Sequence, residues 1–178
     1  RFFHNGTNSY AVNYNGDFYI SNNAADKDLI FQCDNGSGGE ETYFFLDGSA
    51  NGANPATVFP DNSSLIFGTG NDLYLRHTGT NSEIKNYVGD LIIANNANDK
   101  DIIFQSDDGS GGVETYFFLD GSTGRTIFPD NKELRFGTGS DLNLYHDGSN
   151  SYVEDAGPGN LILKSDGSNI QLLGNSQI

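Results

Sequence analysis

Glu114-Thr115-Tyr116-Phe117-Phe118-Leu119-Asp120-Gly121-Ser122 repeats, residue for residue, Glu41-Thr42-Tyr43-Phe44-Phe45-Leu46-Asp47-Gly48-Ser49. Upstream of it, Asn95-Asn96-Ala97-Asn98-Asp99-Lys100-Asp101-Ile102-Ile103-Phe104-Gln105 answers Asn22-Asn23-Ala24-Ala25-Asp26-Lys27-Asp28-Leu29-Ile30-Phe31-Gln32. Downstream, Phe128-Pro129-Asp130-Asn131 answers Phe59-Pro60-Asp61-Asn62. Self-similarity with a period of roughly 70 residues governs every local reading of this chain. With Gly68-Thr69-Gly70 and Gly137-Thr138-Gly139 as phase markers, residues 68–136 form one complete repeat. Residues 1–67 then form most of an earlier repeat, and residues 137–178 the start of a third. A repeat cut at both ends, without an initiator Met, reads as an excerpt of a longer polypeptide.

Within each repeat an Asp or Asn leads an apolar-any-apolar triplet. Asp17-Phe18-Tyr19-Ile20, Asp28-Leu29-Ile30-Phe31, Asp72-Leu73-Tyr74-Leu75, Asp90-Leu91-Ile92-Ile93 and Asp101-Ile102-Ile103-Phe104 belong to the first two copies. Asp141-Leu142-Asn143-Leu144, Asn160-Leu161-Ile162-Leu163 and Asn169-Ile170-Gln171-Leu172 continue the series. Short period-two runs bounded by Gly, Asn and Asp predict strands joined by turns. Length differences fall at Ala50 to Ala56 and around Ala156-Gly157-Pro158, which therefore read as loops.

Strand phase places Leu73, Leu75 and His77 on one side and Tyr74 and Arg76 on the other. It likewise sets Leu142, Leu144 and His146 against a polar, solvated face bearing Asn143 and Tyr145. His77 and His146 are expected to be at least partly buried at the end of the inward face. Tyr116-Phe117-Phe118-Leu119 has no polar alternate, so both its faces require cover, from the chain's own loops or from a neighbouring chain. Phe44, Phe45, Leu46, Phe117, Phe118 and Leu119 are expected to be the main buried clusters.

Only 35% of the 178 residues are hydrophobic, with 23 Gly and neither Met nor Trp. That is little apolar material for a self-contained core, and it suggests that part of the core comes from other copies of the chain. The expected fold is all-β: a repetitive short-strand fibre, an intertwined trimeric β-helix or β-prism-like shaft. A single-chain β-solenoid and tandem small β-sandwiches are the alternatives. The formal charge of −15 disfavours nucleic acid, and no apolar run is long enough for membrane insertion.

His4, His77 and His146 occupy equivalent positions in the three copies, and threefold assembly would gather three imidazoles at each level. They are the candidate metal ligands, set against a hydrogen-bonded structural role, because no second ligand stands at metal-like spacing. Asp34 to Glu41 and Asp107 to Glu114 collect oxygen atoms around glycines, but not at a calcium-loop spacing, and read as hairpin loops. Cys33 faces Ser106 across the repeat and reads as an inert thiol. A glycan-cleaving site would need paired carboxylates. Most of the carboxylates recur from copy to copy as turn residues, whereas Glu154 and Asp155 fall outside the repeat and, being adjacent in a strand, point to opposite faces. The expectation is therefore no enzymatic activity, no cofactor and no resident metal.

Phe136-Gly137-Thr138-Gly139-Ser140-Asp141-Leu142-Asn143-Leu144-Tyr145-His146-Asp147-Gly148-Ser149-Asn150-Ser151-Tyr152-Val153, followed by Asp155 to Leu163, resembles repeats in tail-fibre proteins of marine phages, especially those of cyanobacteria. Looser versions run from Phe67 to Gly79 and from His4 to Tyr10, so the resemblance covers most of the chain. It implies a trimeric, β-rich, extracellular appendage of a virion. Other virion tail proteins, and a host surface glycan or outer-membrane component, would be its partners. A depolymerase tailspike and a repetitive cell-surface adhesin or filament are the rival functions.

Overall fold

The computed structural model describes residues 1–49 and 54–174, in two compact units, Arg1–Leu91 and Ile92–Ile178. Of the loop expected at Ala50 to Ala56, residues 50–53 lie outside the described residues. All regular structure among the described residues is β.

The first unit opens with a hairpin of β1 (Phe2–His4) and β2 (Ser9–Ala11). Then come two three-stranded antiparallel meanders, β3 (Leu29–Asp34), β4 (Glu40–Asp47), β5 (Ala56–Val58) and β6 (Ser64–Phe67), β7 (Leu73–His77), β8 (Ser82–Asn86). The second unit repeats both meanders as β9 (Ile102–Asp107), β10 (Val113–Asp120), β11 (Arg125–Ile127) and β12 (Glu133–Phe136), β13 (Leu142–His146), β14 (Ser151–Asp155).

In the first type of meander the long apolar run carries a bulge. Thr42 lies opposite Gln32 and Phe44 opposite Phe31, so Tyr43 is the extra residue. Tyr116 is the extra residue of the second copy, between Thr115 and Phe117. The tyrosine hydroxyl donates to the carbonyl of Asp34 (3.0 Å) or Asp107 (2.9 Å), tying the bulge to the hairpin end. Beyond the bulge, phenylalanines stack across the sheet: Phe31 on Phe44 and Phe44 on Phe59, with centroids 4.5 and 5.7 Å apart. Phe104, Phe117 and Phe128 reproduce the stack at 4.4 and 5.5 Å.

The repeated strings are also bound to one another. Asn22 donates to the Asp28 carbonyl and accepts from the Ala24 amide, shaping a loop whose Asp28 carboxylate accepts the Gly48 amide at 3.1 Å. Asn95, Ala97, Asp101 and Gly121 make the same contacts, the last at 3.0 Å. This explains why the sequence identity extends over both the loop and the end of the long strand.

Three expectations are corrected. The triplets led by Asp17, Asp90, Asn160 and Asn169 form no strand, although their pattern suits one, and no described segment pairs with them. The residues corresponding to Asn169 to Leu172 in earlier copies start β3 and β9, whose partners β4 and β10 have no counterpart in residues 137–178. Second, the Phe/Leu clusters are not buried within the chain: Leu46 and Leu119 are exposed, and no apolar residue is fully buried among those described. A three-stranded meander lacks a second layer, so its apolar faces stay half open. Third, the face expected to be solvated holds the one buried polar residue among those described, Asn143, 6% exposed, between Arg135 of β12 and Glu154 of β14. Long polar side chains in the flanking strands cover a short one in the central strand.

Gly121 tests the loop clamp. A Cβ there would lie 2.2 Å from the Lys100 carbonyl oxygen, a backbone atom that cannot step aside. Gly121→Ala should destabilise the second unit by about 1–3 kcal/mol, the usual cost of overpacking, as measured by denaturant unfolding. Ser122→Ala, which loses one exposed hydrogen bond, should cost less.

Candidate interaction surface

The histidines close turns. His4 Nδ1 accepts the Gly6 amide at 3.0 Å, and His77 Nδ1 lies 3.1 Å from the Gly79 amide and 2.8 Å from Asp61 Oδ1. A neutral Nδ1 accepts from Gly79, whereas a protonated one donates to Asp61; one nitrogen cannot do both at once. His146 Nδ1 lies 3.2 Å from Ser151 Oγ, across the strand pair β13–β14. All three histidines are exposed, His77 and His146 contrary to the expected partial burial. Each is the last residue of its strand, where the sheet face gives way to the turn. No group of three or more His, Cys, Asp or Glu side chains converges among the described residues, so within one chain the histidines do not share a site.

The carboxylates of the glycine loops are engaged by backbone. Asp34 accepts Gly36, and Asn35 accepts both Ser37 and Gly39. Asp107 and Asp108 repeat this with Gly109, Ser110 and Gly112, and the Gly112 and Ser110 amides hold the Asp108 carboxyl below its ordinary range. At the β10–β11 turn, Asp120 accepts the Ser122 hydroxyl at 2.7 Å and the Ser122 and Thr123 amides. These bonds, the Ser122 hydroxyl first, lower its pKa to about 2. Asp147, accepting from the Asn150 and Ser149 amides and from the Tyr152 hydroxyl, also falls to about 2. The glycine loops, read from the sequence as hairpin loops, are closed by Asx turns.

Glu154 and Asp155 are consecutive in β14, opposite Asn143 and Leu142, and so stand on opposite faces of the sheet. Two equivalent shallow grooves do recur. One, of about 250 Å³, is walled by Lys27, Leu29, Leu46 and Asp47, and the other, of about 300 Å³, by Lys100, Ile102, Leu119 and Asp120. Being repeated, they follow from the loop clamp and are not a unique cleft. Cys33 is a free, exposed thiol in β3.

The largest chemical feature of the surface is apolar. In the second type of meander, Leu65, Leu75 and Ile84 align across β6, β7 and β8, with Phe67 and Leu73 in the next row on the same face. Leu134, Leu144 and Val153 align likewise across β12, β13 and β14. Ile84 and Val153 remain about three-fifths exposed, at 62% and 59%. The opposite face is polar, with Glu83 between Arg76 and Lys85, both at 2.8 Å. This part of the surface was legible from strand phase; Asn143 and the bulged tyrosines were not, since both depend on neighbouring strands.

The turn carboxylates set an acid limit. The folded pKa values of Asp120 and Asp147, about 2, lie below the ordinary 3.8. Their contribution is therefore complete above the ordinary value and is lost as pH falls through the folded one. NMR titration of the two carboxyl carbons should give midpoints near 2, with the Ser122 and Asn150 amides shifting in the same steps. Midpoints near 3.8 would show that the turns are not formed as described. In comparisons with known proteins, no protein-family model, no curated protein and no solved structure matches this chain.

Proposed function

We propose that this chain is a structural, non-enzymatic segment of an extracellular viral tail fibre, built from three copies and serving attachment to the host surface. The observation that carries the reading is the open apolar surface of a repeating all-β chain. Its sheets carry Leu, Ile, Phe and Val side chains, yet none is fully buried among the described residues. Surface of that kind marks sites of association.

Its size can be judged against compact proteins. The chain of 19.2 kDa exposes 14699 Å². A globular monomer of this mass would expose about 8,400 Å², and two independent globules of half the mass about 10,000 Å². The remaining surface, about 4,500–6,300 Å², is of the order that obligate oligomers bury. Three copies, each giving a third of every layer, would supply the missing cover, with other virion tail proteins beyond the ends. The recurrence of carboxylates as turn acceptors supports a shaft over a catalytic cleft. Host glycan or an outer-membrane component is the expected target of the attached fibre.

Light scattering on the purified chain should give about three times 19.2 kDa and a melting temperature that rises with concentration. A monomer at micromolar concentration with a concentration-independent melt would overturn the reading. Incubation with host-surface polysaccharide should release no reducing ends. Release that disappears on replacing Glu154 or Asp155 would make the protein a depolymerase instead.

A further inference from the structure

Among the apolar stretches left outside every strand, three hold the same place in successive repeats: Phe18-Tyr19-Ile20, Leu91-Ile92-Ile93 and Leu161-Ile162-Leu163. None of their backbone N–H or C=O groups is hydrogen-bonded to another described residue. Their middle residues, Tyr19, Ile92 and Ile162, are 81%, 80% and 76% exposed. The flanking residues are roughly half exposed in each, so the same arrangement recurs in all three copies. Aromatic and branched aliphatic residues favour a pleated, half-buried setting. Yet these triplets contain no Pro, no Lys and no bulge of the kind that blunts a free strand edge.

We infer that the triplets are assembly strands, each completed by backbone hydrogen bonds to a second copy of this chain and covered there by apolar side chains. This rests on the oligomeric reading above and narrows it to named segments. A second copy is the fitting occupant for two reasons. The triplets recur with the repeat, and a second copy carries the same three triplets, so each has an equivalent segment to meet. The triplets are also uncharged, with a single leading carboxylate at Asp17 and Asp90 and a neutral Asn160. Two chains of charge −15 can therefore meet there without opposing carboxylates inside the contact. The surplus exposed area is sufficient for such an interface.

Hydrogen exchange read by mass spectrometry on the whole 178-residue chain tests this directly. Amides of residues 18–20, 91–93 and 161–163 should exchange about 1,000-fold or more slower than free peptide, because strand amides open only with larger structural units. Combining Tyr19→Lys, Ile92→Lys and Ile162→Lys should reduce the assembly to single chains. Because these side chains point to solvent in the single chain, its hairpins should keep their strand signal in circular dichroism. An assembled wild-type chain whose triplet amides exchange freely, or a triple variant that still assembles, overturns the inference and leaves the fibre reading standing. Protection that appears only when a different protein or a host polysaccharide is added assigns the triplets to a foreign partner and also overturns it. A wild-type chain that is monomeric with unprotected triplets overturns both readings.

Discussion

A three-stranded sheet of short strands has two faces and nothing of its own to place on them, and this limitation runs through the whole molecule. Stacking Phe31, Phe44 and Phe59 is the most that the first type of meander can do with one face, while Ile30 on the other stays 53% exposed. Aromatic pairs in offset stacks add about 0.5–1.5 kcal/mol each beyond their buried area. That can hold three strands in register, but it is not a substitute for a second layer. The sheets therefore have well-defined hydrogen-bonding and incomplete burial at the same time. These two properties together distinguish the chain from a disordered polypeptide.

What the sheets lack in packing, the turns supply in polar bonds. Asp and Asn accept backbone amides at several reversals, among them Asp34, Asp107 and Asp147, and the loop of Asn22 to Asp28 is held against Gly48 by a carboxylate-to-amide bond. Asp72 and Asp141 sit beneath Gly68 and Gly137, so close that a Cβ on either glycine would meet a carboxylate oxygen. Both glycines have φ of +84°, a conformation that L side chains rarely adopt. Those two requirements account for the Gly-Thr-Gly markers that give the repeat its phase. A share of the acidic residues, such as Asp28, Asp34, Asp108, Asp120 and Asp147, thus fastens loops and turns.

Much of this was legible in the sequence. The triplets at Asp28, Asp72, Asp101 and Asp141 do lead into strands, and the strand phase at Leu73 and Leu142 agrees with the observed register. The bulge at Tyr43 was hidden inside an apolar run. Alternation cannot be read where every residue is apolar, and the extra residue shows only in the pairing of Thr42 with Gln32 and Phe44 with Phe31. The histidines were misplaced because phase gives the side of a strand, not how far its face extends. Asn143 was misplaced for the opposite reason: Arg135 and Glu154, the neighbours that flank it, come from strands on either side.

The most informative discrepancy lies in a single motif with two outcomes. Asp28-Leu29-Ile30-Phe31 is a strand and Asp17-Phe18-Tyr19-Ile20 is not, although the local chemistry is nearly the same. The difference is that β4 pairs with the first and no described segment pairs with the second. Strand propensity is a statement about surroundings, so a sequence can specify a strand whose surroundings it does not itself provide. When that happens once per repeat, at the same place and with the same exposure, chance is a poor explanation. The net charge then has a further effect. Carboxylates on separate chains repel at a distance, but salt confines this repulsion to about 8 Å at physiological ionic strength. Uncharged triplets in close contact escape most of it, whereas misaligned contacts that bring the acidic turns together do not. In the assembly proposed above, acidic turns and neutral triplets in alternation would favour one register of association over its neighbours.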